Sequence, residues 1–120
     1  MAWTRAREEL LARAPWCVAC LCRERTIVLA AVVDHIVPFH ATPETEREAY
    51  RLEQWNLEGL CARHHDGIKR WFESRYHWTE VRVAWVKWLT ERVLTPEART
   101  LMGVLGLDKE QGHDVGRCSS

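Results

Sequence analysis

Charge of one sign is what this sequence most lacks: 17 Lys and Arg stand against 17 Asp and Glu, leaving the chain formally neutral. Neutrality removes any argument for nucleic acid from overall charge, so such a partner has to be argued from local patterning. Long apolar runs are also missing. The longest, Ile27 to Val33, falls far short of the roughly 20 residues that cross a bilayer, and no membrane association is expected. The first residues lack a basic segment followed by an apolar stretch and a small-residue cleavage site, so a cytoplasmic and not a secreted protein is expected. Internal repeats and low-complexity tracts are absent.

What is present fits one small globular domain: 120 residues, 47% hydrophobic and 28% charged. A metal staple would help a core of that size. The five cysteines are an odd number, and in a reducing compartment closely spaced cysteines read as metal ligands before disulfides. Local charge is uneven. Residues 61–75 carry Arg63, Lys69, Arg70 and Arg75 against Asp66 and Glu73, whereas residues 43–58 carry five glutamates against Arg47 and Arg51.

The pattern predicts a helix over Trp3 to Ala14, with Ala6, Leu10, Leu11 and Ala14 near one face and Pro15 ending it. A cysteine-rich turn follows at 16–22. The β-branched residues 26–33 suit a buried strand or hairpin. An acidic, Pro43-containing surface insertion comes next, with a short helix from Glu44 to Leu52. Ile68, Trp71, Phe72 and Arg75 have helical spacing, and Trp78, Val81, Trp85 and Trp88 predict an amphipathic helix over Thr79 to Leu94 whose stripe reads as core. Thr95 and Pro96 open a shorter helix reaching Val104. The domain is expected over 1–107, with its core at about 15–75, its C-terminal helices at 79–104 and a disordered tail over 108–120 that includes Cys118 as a free thiol.

Cys17 and Cys20 form a CxxC pair, and Cys61 and His64 form a CxxH pair. A two-residue gap lets the chain turn so that both side chains face one ion, and two such knuckles are the usual pattern for a tetrahedral structural zinc. Cys22 offers a competing partner for Cys20. Ordinary buried cysteines, behaving as small apolar residues, are the plain alternative.

The stretch Val33-Asp34-His35-Ile36-Val37-Pro38, then Trp55-Asn56-Leu57, then Leu60-Cys61-Ala62-Arg63-His64-His65 resembles the HNH nuclease family, especially its small phage-type members. The likeness spans roughly Pro15 to Trp71. It implies an α+β fold: a ββα-metal (His-Me finger) core stapled by zinc, with flanking helices at both ends. On that likeness His35 is the general base, Asn56 fixes the loop bearing His35 or assists the metal, and Asp34 and His65 hold one catalytic divalent cation. Mixed carboxylate and imidazole ligands suit Mg²⁺ or Mn²⁺. The implied activity is hydrolysis of DNA phosphodiester bonds to 5′-phosphate and 3′-hydroxyl ends, in phage DNA packaging beside a terminase or in a restriction-like role.

Two departures from the family's pattern stand out. The fourth zinc position is His64 where relatives usually have cysteine, so that two adjacent histidines compete for two metals; register assigns His64 to zinc and His65 to the catalytic ion. The family's basic residue lies three positions after the last histidine, whereas Lys69 lies four after His65. Arg63, Lys69 and Arg70 are the candidate phosphate contacts. His40 and His77 read as solvated loop residues. The competing reading is a catalytically inactive zinc-finger-like module that binds DNA or protein.

Overall fold

The computed structural model describes residues 1–91. Its elements are α1 (Ala2–Arg13), β1 (Val32–His35), α2 (Arg47–Leu52), β2 (Leu57–Leu60), α3 (Ala62–His64), α4 (Arg70–Arg75) and α5 (Val81–Thr90). Short 3-10 turns at Phe39–Ala41, Glu44–Glu46 and Gln54–Asn56 lie in the β1–β2 connection, and a wide π-type turn over His65–Lys69 joins α3 to α4. The fold is α+β, with one two-stranded antiparallel sheet among the described residues. Pairing runs Val32 with Leu60, Val33 with Gly59, Asp34 with Glu58 and His35 with Leu57.

Helix α1 forms where expected and buries Ala6 and Leu10 against Leu57 of β2, with Trp3, Leu11, Val33 and Leu52 closing over them. This stripe recurs at helical spacing, so α1 and the sheet cover each other's apolar faces. The larger core joins the Cys17–Cys22 turn to Ile36, Val37, Leu60, Phe72, Val81, Trp85 and Leu89. The tryptophan stripe of α5 is therefore interior: Trp85 is fully buried, stacked on Trp88 at 5.2 Å and met edge-on by Phe72 at 5.4 Å. The helix begins at Val81 instead of Thr79, because residues 77–80 close a turn through Glu80 N–H and Val81 N–H onto the His77 carbonyl.

One expected strand is displaced. Of residues 26–33 only Val32 and Val33 join β1, while Ile27 is 56% and Leu29 72% exposed. The chain leaves the cysteine turn through Arg25 in the left-handed region (φ 56°), and Thr26 N–H closes onto the Cys20 carbonyl. Residues 28–30 then run against residues 15–17, with Cys17 N–H on the Val28 carbonyl, Ala30 N–H on the Pro15 carbonyl and a bridge between Trp16 and Leu29. The expected buried strand or hairpin is thus replaced here by an exposed pairing with the chain that precedes the cysteine turn. β-branched composition reports fit to a pleated ribbon and does not say which face is covered.

No helix among the described residues is long and apolar enough to cross a membrane. The expected helix to Val104, the tail over 108–120 and Cys118 lie outside the described residues.

Gly59 marks the tightest approach. A Cβ there would lie 2.7 Å from the Trp16 carbonyl oxygen and 2.8 Å from the Ala30 Cβ, both fixed by the backbone. Gly59→Ala is expected to destabilise the fold by about 1–3 kcal/mol through overpacking. A urea midpoint unmoved from wild type would contradict this.

Candidate metal centre and the adjoining acid and histidine cluster

The two knuckles meet. Cys17, Cys20, Cys61 and His64 present donor atoms that all lie within 4.8 Å of one another. Cys20 Sγ is 3.8 Å from Cys61 Sγ, and His64 Nδ1 lies 3.5, 3.4 and 3.4 Å from the sulfurs of Cys17, Cys20 and Cys61. A tetrahedral zinc with bonds of about 2.3 Å to sulfur and about 2.0–2.1 Å to nitrogen separates sulfur pairs by about 3.8 Å and sulfur from nitrogen by about 3.5 Å. The three sulfur–nitrogen edges and the Cys20–Cys61 edge match these lengths, and the cluster could hold a structural metal such as zinc. Cys22 is buried but is not one of the four.

Local chain geometry explains the convergence. Cys20 N–H reaches back to Cys17 Sγ at 3.4 Å, as a knuckle requires. Cys61 ends β2, and the helical turn of α3 returns His64 over it. Burial raises the Cys17 thiol, and burial together with the neighbouring thiols pushes Cys20 up to about 12. Cys61 goes the other way: burial raises it, but hydrogen bonding to the His64 backbone and to the Cys17 and Cys20 thiols outweighs this and holds it below its ordinary value. A bound cation would favour the thiolate form of all three. Burial, then the Arg63 charge, hold His64 below its ordinary value, in the neutral form that offers a lone pair.

His64 Nε2 lies 3.1 Å from Glu24 Oε2, and Arg63 reaches both Glu24 oxygens at 2.7 Å. A carboxylate behind a ligating imidazole fixes its tautomer and raises its basicity. Glu24 is tied to His64 by no spacing in the sequence. Its only signal was its place two residues beyond Cys22.

The second cluster begins at β1. Asp34 is buried, with Oδ1 3.6 Å from His65 Nε2 and Oδ2 2.8 Å from Lys69 Nζ. Lys69 is a correction to the expected phosphate contacts: its side chain is 0% exposed, and its ammonium also binds Glu73 Oε2 at 2.6 Å and the His35 carbonyl at 2.9 Å. The wide turn over His65–Lys69 is the reason. A π-type turn holds one more residue than an α turn, so a residue four positions on falls near where three positions on would fall in a regular helix. Burial opposes the Lys69 charge, but Asp34, Glu58 and Glu73 outweigh it and hold the ammonium above its ordinary value.

Glu58, directly across from Asp34, is also fully interior and accepts a hydrogen bond from the Trp85 indole at 2.9 Å. Burial and then the Asp34 charge hold its carboxyl well above the usual range. An acid inside an otherwise apolar strand, LEGL, was the signal that could have found it.

His35 lies beside this cluster. Its Nε2 is 3.0 Å from the Arg51 carbonyl, and its ring is stacked on Trp3 and met edge-on by Phe39. A carbonyl accepts only, so Nε2 carries the proton and Nδ1 keeps its lone pair in the neutral ring. Burial lowers the His35 pKa. Asn56 is 0% exposed; its Oδ1 accepts from Val37 N–H at 2.8 Å, and its Nδ2 donates to the carbonyls of Val37 at 2.9 Å and Tyr50 at 2.6 Å. It fastens the chain just beyond His35 to the end of α2.

Among the other expected phosphate contacts, Arg63 is committed to Glu24 at the surface and Arg70 is exposed. His40 and His77 are exposed, the latter bonded within its turn to Thr79. No protein-family model, curated protein or solved structure matches this chain.

The chain is expected to bind one zinc. Glu24→Ala is expected to weaken it about 10- to 100-fold, as read by competition with a chromogenic chelator. Unchanged affinity would remove Glu24 from the centre.

Proposed function

We propose that the chain is an HNH-type DNA endonuclease, in which β1, β2 and the helical segment over 62–75 form a ββα-metal finger. One observation carries the reading. Asp34 Oδ1 and His65 Nε2 face each other at 3.6 Å, while the residue next to Asp34 is an imidazole whose Nε2 is occupied by a backbone carbonyl. A carboxylate and an imidazole at that separation suit one divalent cation, Mg²⁺ or Mn²⁺, held by Asp34 and His65. When bound, such an ion supplies Lewis-acid stabilisation of a phosphate oxygen and of the departing 3′ oxygen.

The protein's own part is acid–base and positional. His35 Nδ1 takes a proton from the attacking water as the new O–P bond forms and the P–O3′ bond breaks; the departing 3′ oxygen takes its proton from a solvent water, and the imidazolium returns its proton to solvent, leaving 5′-phosphate and 3′-hydroxyl ends. Arg51 holds the base in the required tautomer through its carbonyl. Asn56 holds the loop. Lys69 occupies Oδ2 of Asp34 and leaves Oδ1 towards His65. Arg70, exposed on α4, is the cation that would meet DNA phosphates.

The zinc-loaded protein is expected to nick or linearise supercoiled plasmid when Mg²⁺ or Mn²⁺ is added and to leave it intact otherwise. His35→Ala is expected to remain folded with cleavage reduced about 10²- to 10⁴-fold. Because burial lowers the His35 pKa, the base stays unprotonated in more acidic solution than a free imidazole does, and the acid limb of kcat/KM should fall below pH about 6.5. A His35→Ala protein that cleaves normally would exclude this base. Wild-type protein that binds DNA without cutting it would favour the inactive binding module instead.

A further inference from the structure

Trp3 lies on α1, outside the stretch that carries the nuclease reading, yet its ring covers His35. The two ring centroids are 5.0 Å apart and the planes are inclined by only 24°. Phe39 approaches the same imidazole edge-on at 4.8 Å. Helix α1 has anchors besides Trp3: Ala6 and Leu10 are seated on Leu57, and the Ala6 carbonyl accepts from Gln54 Nε2 at 2.9 Å. The indole is half-buried.

We propose that Trp3 is a positioning residue for the His35 base, an inference that rests on the nuclease reading of His35. The ring torsion of histidine is broad and does not hold one plane unaided. Two restraints fix it here. The Arg51 carbonyl holds Nε2, and the indole face sets the ring plane, so that the Nδ1 lone pair keeps a single direction. A stacked arrangement is a favoured geometry for an aromatic pair. Misplacing a reacting group by about 1 Å lowers turnover by up to about 10²-fold, so loosening this ring should be visible in kcat.

The experiment uses the full zinc-loaded chain with Mn²⁺ and a short duplex substrate, comparing wild type, Trp3→Leu and Trp3→Phe. Trp3→Leu is expected to lower kcat about tenfold or more with KM and zinc content unchanged, and Trp3→Phe, which can still stack, to restore most of it. Trp71→Leu removes a tryptophan of α4 that contacts Phe72 and, just beyond the helix, Tyr76, and it should leave kcat unchanged. Independently of activity, the His35 ring protons, identified by their loss in His35→Ala, should resonate upfield in wild type and shift downfield in Trp3→Leu. Unaltered kcat in Trp3→Leu, a loss that Trp3→Phe does not repair, or an unshifted His35 signal would each overturn the assignment. Wild-type protein without cation-dependent cleavage sinks the nuclease reading and this inference together, whereas wild-type cleavage with an indifferent Trp3→Leu sinks this inference alone.

Discussion

The convergence of Cys17 and Cys20 with Cys61 and His64 is the constraint on which the rest of the described structure depends. The sheet has only four residues in each strand, and a two-stranded ribbon of that length is at best marginally stable in water. It is held because the chain is clamped on both sides. Cys61 directly follows β2, while Cys17 N–H is bonded to the Val28 carbonyl a few residues before β1. Bringing four donors together therefore closes the loop that contains β1, α2 and β2, and the entropy of that closure rises only slowly with loop length. The long acidic connection can be accommodated on these terms, since its ends are already pinned.

Behind β1 the protein accepts a different kind of constraint. Asp34, Glu58, Lys69 and Glu73 bring one ammonium and three carboxyl groups into a region where Asp34, Glu58 and Lys69 are all buried. Removing charges from water is unfavourable, and the mutual attraction of a buried pair repays it only with good geometry. Here the geometry is specific: Lys69 has three short oxygen contacts, and Glu58 accepts a hydrogen bond from the Trp85 indole. The return is orientation more than stability. Asp34 has one oxygen committed to Lys69 and the other directed at His65, and the same ammonium holds the carbonyl of His35.

The parts legible in the sequence were those set by short-range spacing. CxxC and CxxH identify the four clustered donors because a two-residue gap is itself a geometric statement. The apolar periods of α1 and α5 were readable for the same reason, and the tryptophan stripe lies in the core as its period suggests. Residues whose roles depend on distant neighbours were not readable. Lys69 looks like a surface cation until the wide turn carries it inward, Glu24 has no pattern linking it to His64, and Trp3 meets His35 only because α1 folds back across the sheet. The exposed Ile27 and Leu29 show the converse: strand-like composition without burial, since pairing with residues 15–17 satisfies the backbone and leaves the side chains outside.

The adjacent histidines show how one helical step can divide two tasks. Successive residues on a helix are rotated by about 100°, so His64 and His65 cannot face the same centre. His64 turns inward, with Nδ1 among the three sulfurs and its ring almost covered, while His65 is partly exposed and faces Asp34. With cysteine in the fourth position the same rotation would hold, but the outer contact would be lost, because a thiolate has no second nitrogen to engage Glu24 and, through it, Arg63. The imidazole thus extends the four-donor centre to the surface ion pair, and it fixes the start of the helical segment that carries both His65 and Lys69. The orientation of the Asp34 cluster is in this sense set from the cysteine side: whatever holds His64 also decides where His65 points.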